Sequence, residues 1–385
     1  MTSTIPTFSY HNPTAIEFGW GSLARLPELV KSVGGTRALV VGDPGVVKAG
    51  LVERVVGVLG GMPVTIFTDI ESDPDARSVD AGVELAKSKE CDVMIGVGGG
   101  SAMDVAKVIG VMMTNPGNIR DYAGMGKIGK PGVPVIAIPT TSGTGSELTI
   151  WSVLSEKEKK QKFGVGSVLN CARIALLDPE LTMSLPPAIT AATGIDALTH
   201  ALESYVSTAT QPISEAMSVQ SMTLIARSLR LAVAQPGNKQ ARSDMLLAST
   251  LAAMAFNSTR LGLVHAYAMP LGSRFHIPHG LANAIMLPVV MRYNLPGNLV
   301  KFARIAEIFG EPIAGLSLRD AAERSVVAIE SLKADVGITA KLGEFGITEA
   351  DLDAVAGEAM LSGNVAVNPR QPTLETMKAL LRAEL

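Results

Sequence analysis

The spacing of apolar and polar positions changes character partway along the chain. Up to Leu181, short β-branched runs alternate with amphipathic stretches. Arg37–Gly42, Pro63–Thr68, Asp92–Val97, Val133–Ile138 and Arg173–Leu177 are mostly continuous apolar runs without alternation, the pattern of strands buried on both faces. Between them, Leu51–Leu59, Ala76–Ser88 and Ala102–Met113 carry apolar residues at helical spacing, and strand–helix alternation of this kind predicts a parallel, doubly wound sheet. Pro186 and Pro187 then break the chain. After them Ala188–Ser207, Ser214–Val233, Arg242–Phe256 and Leu318–Asp335, rich in Ala, Leu, Met and Ser, read as helices with hardly a strand candidate between them. The expected architecture is a Rossmann-like α/β domain over residues 1–182 followed by an all-α domain over residues 183–385.

Composition narrows the partners. The chain has 385 residues, enough for two separate cores, with 47% hydrophobic and 18% charged residues, a globular balance and not a disordered one. A net charge of −3 gives no reason to expect nucleic acid or an anionic membrane as partner. The basic stretch Lys157–Lys162, which contains Glu158, reads as a solvated turn. Met1–Pro13 lacks a basic region followed by an apolar core, so no secretory signal is expected there. The apolar stretch Phe275–Met291 is interrupted by His, Pro and Gly, so no membrane span is expected. Cys91 and Cys171 form neither a metal-type CxxC nor a disulfide framework and suit a reducing compartment, with the cytoplasm as the default. The extended segment Phe8–Glu17 is suited to pairing across a two-fold axis, which predicts a homodimer or a higher homo-oligomer.

Two loops offer anion-binding chemistry. The strand Asp92–Val97 runs into Gly98-Gly99-Gly100-Ser101 and then a helix. Glycines at such a junction let the backbone approach a phosphate, and the exposed N–H groups and dipole of the helix start favour its charge. This is not the GxGxxG fingerprint, and a glycine turn without ligand is common. The second loop, Pro139–Glu147 (PTTSGTGSE), follows the strand Val133–Ile138 with several hydroxyls. Both loops should open at the carboxyl edge of the sheet, where open α/β sheets bind ligands. Asp43 ends another strand. It is placed either to accept hydrogen bonds from a ribose and disfavour a 2′-phosphate, which selects NAD over NADP, or to cap the turn Asp43-Pro44-Gly45.

Metal-ligand chemistry concentrates in the second half. Of the five histidines, four fall there. Asp196 and His200 are four apart in a helical pattern, so they share a face. His265 lies in GLVHAYA (262–268), and His279 follows in Pro278-His279-Gly280, where a loop would let its ring point inward. One carboxylate and three imidazoles suit Fe(II) or Zn(II), although a lone histidine is more often a satisfied core or surface residue.

The ordered motifs GGGSAMDVAK (98–107), PTTSGTGSE (139–147), ATGIDALTHALE (192–203) and GLVHAYAMPLGSRFHIPHGLANAIMLP (262–288) resemble those of the iron-containing, or group III, alcohol dehydrogenases. The similarity runs over nearly the whole chain. It implies a dehydroquinate synthase-like fold and NAD(P)-linked, metal-dependent oxidation of small primary alcohols or reduction of aldehydes. It further implies that Asp196, His200, His265 and His279 bind Fe(II), or Zn(II) in its place. Asp43, Gly99, Gly100, Ser101, Asp104, Thr140, Thr141, Thr144 and Lys162 would line the dinucleotide site. One departure stands out. Four residues after the third ligand the family usually has a histidine that helps relay the substrate proton, and this chain has Met269, whose thioether cannot do so. His276 is the nearest replacement by sequence and Tyr267 the next, unless water serves; His276 equally reads as a surface residue. Trp151 and Arg260 also differ from the family, which more often has a smaller polar side chain and a glycine there. Trp151 would narrow the pocket, and Arg260 would either pair with an anionic substrate group or face away. The expected reaction is hydride transfer between the carbinol carbon and nicotinamide C4, with the oxygen on the metal, in the cleft between the two domains. Two alternatives share parts of this pattern: a hydroxy-acid or semialdehyde dehydrogenase using Arg260, and a dehydroquinate synthase-like metal–NAD lyase, which needs more basic residues than Arg260, Arg274 and Arg292. A non-catalytic nucleotide- or metal-binding protein is the third.

Overall fold

The structure is a computed structural model of the chain and describes residues 7–71, 74–156, 158 and 161–385. It divides into two compact units, Asn12–Leu185 and Pro186–Leu385, the second also taking in residues 7–11. That segment differs from the sequence expectation, which kept it with the sheet. Tyr10 explains the difference locally, because its hydroxyl meets Met217 Sδ at 3.6 Å within the helical unit.

In chain order the strands are β1 (Ala15–Phe18), β2 (Ala38–Gly42), β3 (Val64–Phe67), β4 (Val93–Gly98), β5 (Gly124–Met125), β6 (Val135–Pro139), β7 (Trp151–Glu156), β8 (Gln161–Gly166) and β9 (Ile174–Leu177). Six of them form one sheet in the order β1-β9-β6-β4-β2-β3, with every pairing parallel. Helices α1 (Leu26–Ser32), α2 (Pro44–Lys48), α3 (Leu51–Val58), α4 (Ala76–Ser88) and α5 (Gly100–Met112) connect them. Every residue of β2, β4, β6 and β9 is buried, which is why these segments show no alternation. Successive residues still point to opposite faces. Leu39, Val41 and Met94 join the core shared with α4 and α5, whereas Val40, Val93 and Ile95 join the one shared with α1 and α3.

A second sheet, β5-β8-β7, was not expected. β7 and β8 form an antiparallel hairpin in which Lys162 lies opposite Ser155. Gln161 and Lys162 thus belong to a strand and not to a solvated turn; Lys157, Lys159 and Lys160 lie outside the described residues. The strand signal was weak because Trp151–Glu156 and Gln161–Gly166 mix polar and apolar residues and bury only parts of each.

The helical unit contains α6 (Pro187–Val206), α7 (Pro212–Ala234), α8 (Lys239–Thr259), α9 (Leu263–Phe275), α10 (His279–Asn294), α11 (Leu299–Ile308), α12 (Leu318–Asp335), α13 (Leu352–Met360) and α14 (Leu374–Arg382). α6 is its axis. It packs against α7, α8 and α10, and every residue from Gly194 to Val206 is buried, so it is apolar all round except where it carries chemistry. Close approach of α10 depends on Gly280, where a Cβ would lie 2.5 Å from the Ala192 carbonyl oxygen of α6. Among the described residues no helix is long and apolar enough to cross a membrane.

Candidate functional site

α6 presents Asp196, His200 and Glu203 from one buried face, because steps of four and seven residues both return close to the same direction around the axis. α9 contributes His265 from its first turn, and α10 contributes His279. His279 is the first residue of α10 and not a loop residue; Pro278 stops the chain from running on from α9 and begins the new helix. Ligand atoms of Asp196, His200, His265 and His279 all lie within 4.8 Å of one another. Asp196 Oδ1 is 3.8 Å from His200 Nε2, 3.6 Å from His265 Nε2 and 3.7 Å from His279 Nε2. A four-coordinate divalent cation with bonds of about 2.1 Å sets its ligand atoms about 3.4 Å apart, so these four donors fit one ion after a small contraction. Three are buried, while the His279 side chain is 39% exposed, which leaves an approach for a further ligand.

The surroundings fix the state of these donors. Glu203 Oε2 lies 2.6 Å from His265 Nδ1, and its Oε1 accepts from the Val264 backbone N–H at 2.7 Å. The carboxylate therefore keeps the proton on Nδ1 and turns Nε2 toward the other ligands. His265 stacks on His200 at 4.6 Å, and His200 stacks on Phe256 at 4.5 Å, so neither ring is free to turn. Burial alone would raise the Asp196 pKa, but His200, His279 and His265 outweigh it and hold the carboxyl well below the usual carboxylate range. Burial likewise works against charge on His265, yet Glu203 and Asp196 prevail and raise its proton affinity. Two buried carboxylates thus favour positive charge in their midst, and once the imidazoles give up their Nε2 protons one divalent cation would supply it.

Asn283, one turn after His279, donates to Asp196 Oδ1 at 2.7 Å. Neither it nor Glu203 was singled out from the sequence. Both stood in plain spacing: Glu203 is seven residues after Asp196 in the same motif, and Asn283 is four after His279.

Of the proton-relay candidates, Tyr267 is turned away from this site. Tyr267 is fully buried, and its hydroxyl donates to the Met377 carbonyl at 2.9 Å; two residues from His265, it points to the opposite side of α9. His276 is exposed at the end of α9 in a left-handed conformation, φ 56°. Met269 is half-buried, one turn after His265. Arg260 is not on a helix continuous with His265, since α8 ends at Thr259 and α9 begins at Leu263. Its backbone adopts φ 60°, ψ −174°, a region essentially reserved for glycine that costs about 1–3 kcal/mol elsewhere. Its guanidinium reaches the Gly363 carbonyl at 3.4 Å.

In the sheet unit the two loops meet at the carboxyl edge. Gly98 and Pro139 are partners in register, and the Thr140 N–H donates to the Gly98 carbonyl at 2.9 Å. Gly98 has φ 148°, and a Cβ there would come within 3.0 Å of Ala102 Cβ and Asp43 Oδ2, so only glycine serves. The Gly100 backbone lies against Thr144 and that of Gly99 faces Thr141. No side chain caps α5 at Gly99, which leaves its first N–H groups, including that of Ser101, for an anion. Thr141 Oγ1 is buried without a hydrogen-bond partner, as expected of a hydroxyl waiting for a ligand. These features fit a dinucleotide pyrophosphate.

Other expected cofactor residues stand apart from that arrangement. Asp43 Oδ1 caps α2 through the N–H groups of Gly45 and Val46 at 2.8 and 3.1 Å, leaving Oδ2 beside Gly98. Asp104 is buried, accepts from Ser146 Oγ and the Val153 N–H, and pairs with Lys107 at 3.1 Å; it ties the second loop to β7. Lys162 is half-buried on β8. The Trp151 ring covers the backbone of Gly164 and Gly166.

Glu147 closes the second loop with Oε1 buried and without a hydrogen-bond partner. Burial pushes its carboxyl up from 4.5 to about 7, offset only in part by its own backbone N–H and Lys107. A folded pKa above the unfolded one means stability is lost as pH climbs from about 4.5 to about 7. Glu147→Gln is expected to remove that slope and to stabilise the protein at pH 8 by on the order of 2 kcal/mol. Urea unfolding at pH 5 and pH 8 measures it, and identical pH slopes in both proteins would refute it.

Known proteins show the same arrangement of sequence. The sequence model described as "Iron-containing alcohol dehydrogenase" matches residues 13–179, and that of the "Fe-containing alcohol dehydrogenase family, C-terminal" matches residues 190–385. The 1,3-propanediol dehydrogenase of Klebsiella pneumoniae is 42% identical over 379 residues, covering 97% of this chain and 98% of its own. A crystal structure of 1,3-propanediol oxidoreductase superposes with a TM-score of 0.96 at 42% identity, covering 99% of this chain and 100% of its own. The NAD+ complex of sulfoacetaldehyde reductase from Bifidobacterium kashiwanohense gives a TM-score of 0.89 at 32% identity, over 98% of this chain and 99% of its own. With both family models matched in order and relatives aligned end to end, the chain belongs to the iron-containing alcohol dehydrogenase family.

Proposed function

We propose that this chain is a metal-dependent, NAD-linked alcohol dehydrogenase that interconverts small primary alcohols and aldehydes. The observation that carries the reading is the convergence of Asp196, His200, His265 and His279 within 4.8 Å. Those four residues would hold Fe(II), with Zn(II) as the alternative. A bound divalent cation supplies Lewis acidity, stabilising alkoxide character on an alcohol or polarising an aldehyde carbonyl. Glu203 holds His265 in the ligating tautomer. The uncapped start of α5 and the Thr141 hydroxyl would hold the pyrophosphate of a dinucleotide, a cofactor that would supply hydride chemistry. Asp43 Oδ2 disfavours a 2′-phosphate and so favours NAD over NADP. With Met269 one turn after His265, no side chain at that position moves the substrate proton, which leaves through water.

The competing chemistry is weaker. A lyase acting on a polyanionic phosphate needs unpaired cations, but Arg274 is paired with Glu358 and Arg292 with Glu330. Two further features of the protein belong to the same proposal. β1 is an edge strand whose Ile16 and Phe18, with Trp20 just beyond it, are between 36% and 41% exposed, a surface suited to a two-fold homodimer. Cys91 and Cys171 are both free, which suits a reducing cytoplasm.

The test is a coupled assay under aerobic and anaerobic conditions, using chelator-stripped protein reloaded with Fe(II) or Zn(II). Stoichiometric NADH oxidation by short aldehydes, dependent on metal and slower with NADPH, is expected. Metal-loaded protein that binds NADH yet consumes none with any aldehyde would overturn the reading.

A further inference from the structure

One face of α5 carries Gly100, Asp104 and Lys107, because steps of four and three residues return to the same side of a helix. The loop Pro139–Glu147 and its continuation into β7 meet α5 through these three residues. Gly100 lies against Thr144. Asp104 takes donors, Ser146 Oγ and the Val153 N–H. Lys107 takes acceptors. Its Nζ donates to Ser146 O at 2.9 Å and to Trp151 O at 2.5 Å, and lies 3.4 Å from Thr149 O and 3.5 Å from Thr149 Oγ1. Asp104 Oδ1 stands 3.1 Å away, and the Lys107 side chain is 0% exposed.

Five oxygens thus surround an ammonium that has only three N–H groups to give. Hydrogen bonding alone has no use for so many acceptors, whereas a compact point charge does. Three of the five are main-chain carbonyls, the donor type that replaces water around a bare monovalent cation. The neighbourhood is also short of other donors: Glu147 Oε1 is buried without a hydrogen-bond partner, and the Lys107 charge acts on that carboxyl in favour of its ionised form.

The segment around this charge has little else to shape it. β6 ends at Pro139 and β7 begins at Trp151, and buried carbonyls outside regular structure need a partner. Lys107 gathers those of residues 146, 149 and 151. The Ser146 N–H in turn donates to Thr144 Oγ1 at 3.4 Å, which connects the charge to the loop hydroxyls beside the start of α5.

We propose that Lys107 is a tethered monovalent cation: its ammonium fills an oxygen-lined site that folds residues 144–151 around it, and dinucleotide affinity depends on that buried charge. The inference rests on the reading of the two loops as the dinucleotide site. Lys107 is a positioning residue; fully buried, it acts through the loop.

Chemical rescue tests it. Lys107→Ala opens a hole that ammonium enters, whereas Lys107→Met fills the same hole without charge. Both full-length variants and wild type are compared by NADH fluorescence titration and thermal melting, in equal concentrations of ammonium chloride or of tetramethylammonium chloride, whose cation is too large for the site. In tetramethylammonium, Lys107→Ala is expected to bind NADH at least about ten-fold more weakly than wild type and to melt at least about 5 °C lower. Ammonium should recover most of both losses in Lys107→Ala and neither in Lys107→Met. If the alanine variant is unfolded in tetramethylammonium, its folding on transfer to ammonium reads the same result. Wild-type NADH affinity in Lys107→Ala overturns the proposal, as do equal responses to the two salts or recovery of Lys107→Met by ammonium. Wild-type protein that binds no NADH sinks the dinucleotide reading and the affinity claim with it, while the ammonium-specific melting shift still decides the cation site.

Discussion

Asp196→Ala is expected to leave the purified protein without stoichiometric metal and to lower kcat/KM for aldehyde reduction at least about a thousand-fold. Asp196 is the one anionic donor among the four ligands, 2% exposed and within 3.8 Å of all three imidazole nitrogens. Removing it takes away a quarter of the donor set and the charge that draws a cation into a buried site. Lost Lewis acidity is worth several kcal/mol of transition-state stabilisation, and about 4 kcal/mol is a thousand-fold in rate. The fold should survive. The Asn283 amide loses its acceptor, at about 1–3 kcal/mol, but a buried carboxylate no longer has to be kept ionised. Elemental analysis of the purified variant, with far-UV circular dichroism as the control for folding, reads the outcome. A folded variant that still carries one metal per chain and reduces aldehydes at the wild-type rate would remove Asp196 from the site.

How much of this was written in the sequence differs between the two units. The buried strands of the parallel sheet were visible because β2, β4, β6 and β9 are covered on both faces and so read as unbroken apolar runs. The hairpin β7–β8 was not, since half-exposed strands of mixed polarity on either side of a basic run of sequence look like loop. In the helical unit Asp196 and His200 were visible from their four-residue spacing. His265 and His279 lie far off in sequence, and the packing of α10 on α6 and of α9 on α10 brings them in. What sequence could not weigh was competition for side-chain atoms. Asp104 and Tyr267 carry suitable chemistry in suitable motifs, yet Ser146, Val153 and Lys107 claim the first and the Met377 carbonyl claims the second. Arg260 shows a related limit. Its guanidinium suggested anion binding, but the turn between α8 and α9 imposes a glycine-type backbone whatever residue stands there.

Glu203 is the residue whose replacement should affect both halves of the problem, folding and metal, and its two variants separate them. Its oxygens are divided: one serves His265 Nδ1 at 2.6 Å and the other the Val264 N–H at 2.7 Å, with the side chain 3% exposed. Glu203→Ala orphans two buried donors at about 1–3 kcal/mol each. It also frees His265 to take the wrong tautomer or to turn, and loss of such a carboxylate partner typically weakens metal binding about 10–100-fold. Glu203→Gln keeps the volume but carries only one acceptor. Whichever way the amide is placed, its NH2 group faces either Val264 N–H or His265 Nδ1–H, donor against donor. Gln should therefore recover packing but only part of the metal affinity, falling between wild type and Ala in Zn(II) titration while melting closer to wild type. The ordering matters more than either number. If Glu203→Gln bound metal as tightly as wild type, the second acceptor oxygen and the negative charge would both be irrelevant, and Glu203 would be a packing residue that happens to lie beside His265. If it bound no better than Ala while melting like wild type, the carboxylate's charge would be acting on the cation itself, and His265 would keep its orientation through its stacking on His200 alone.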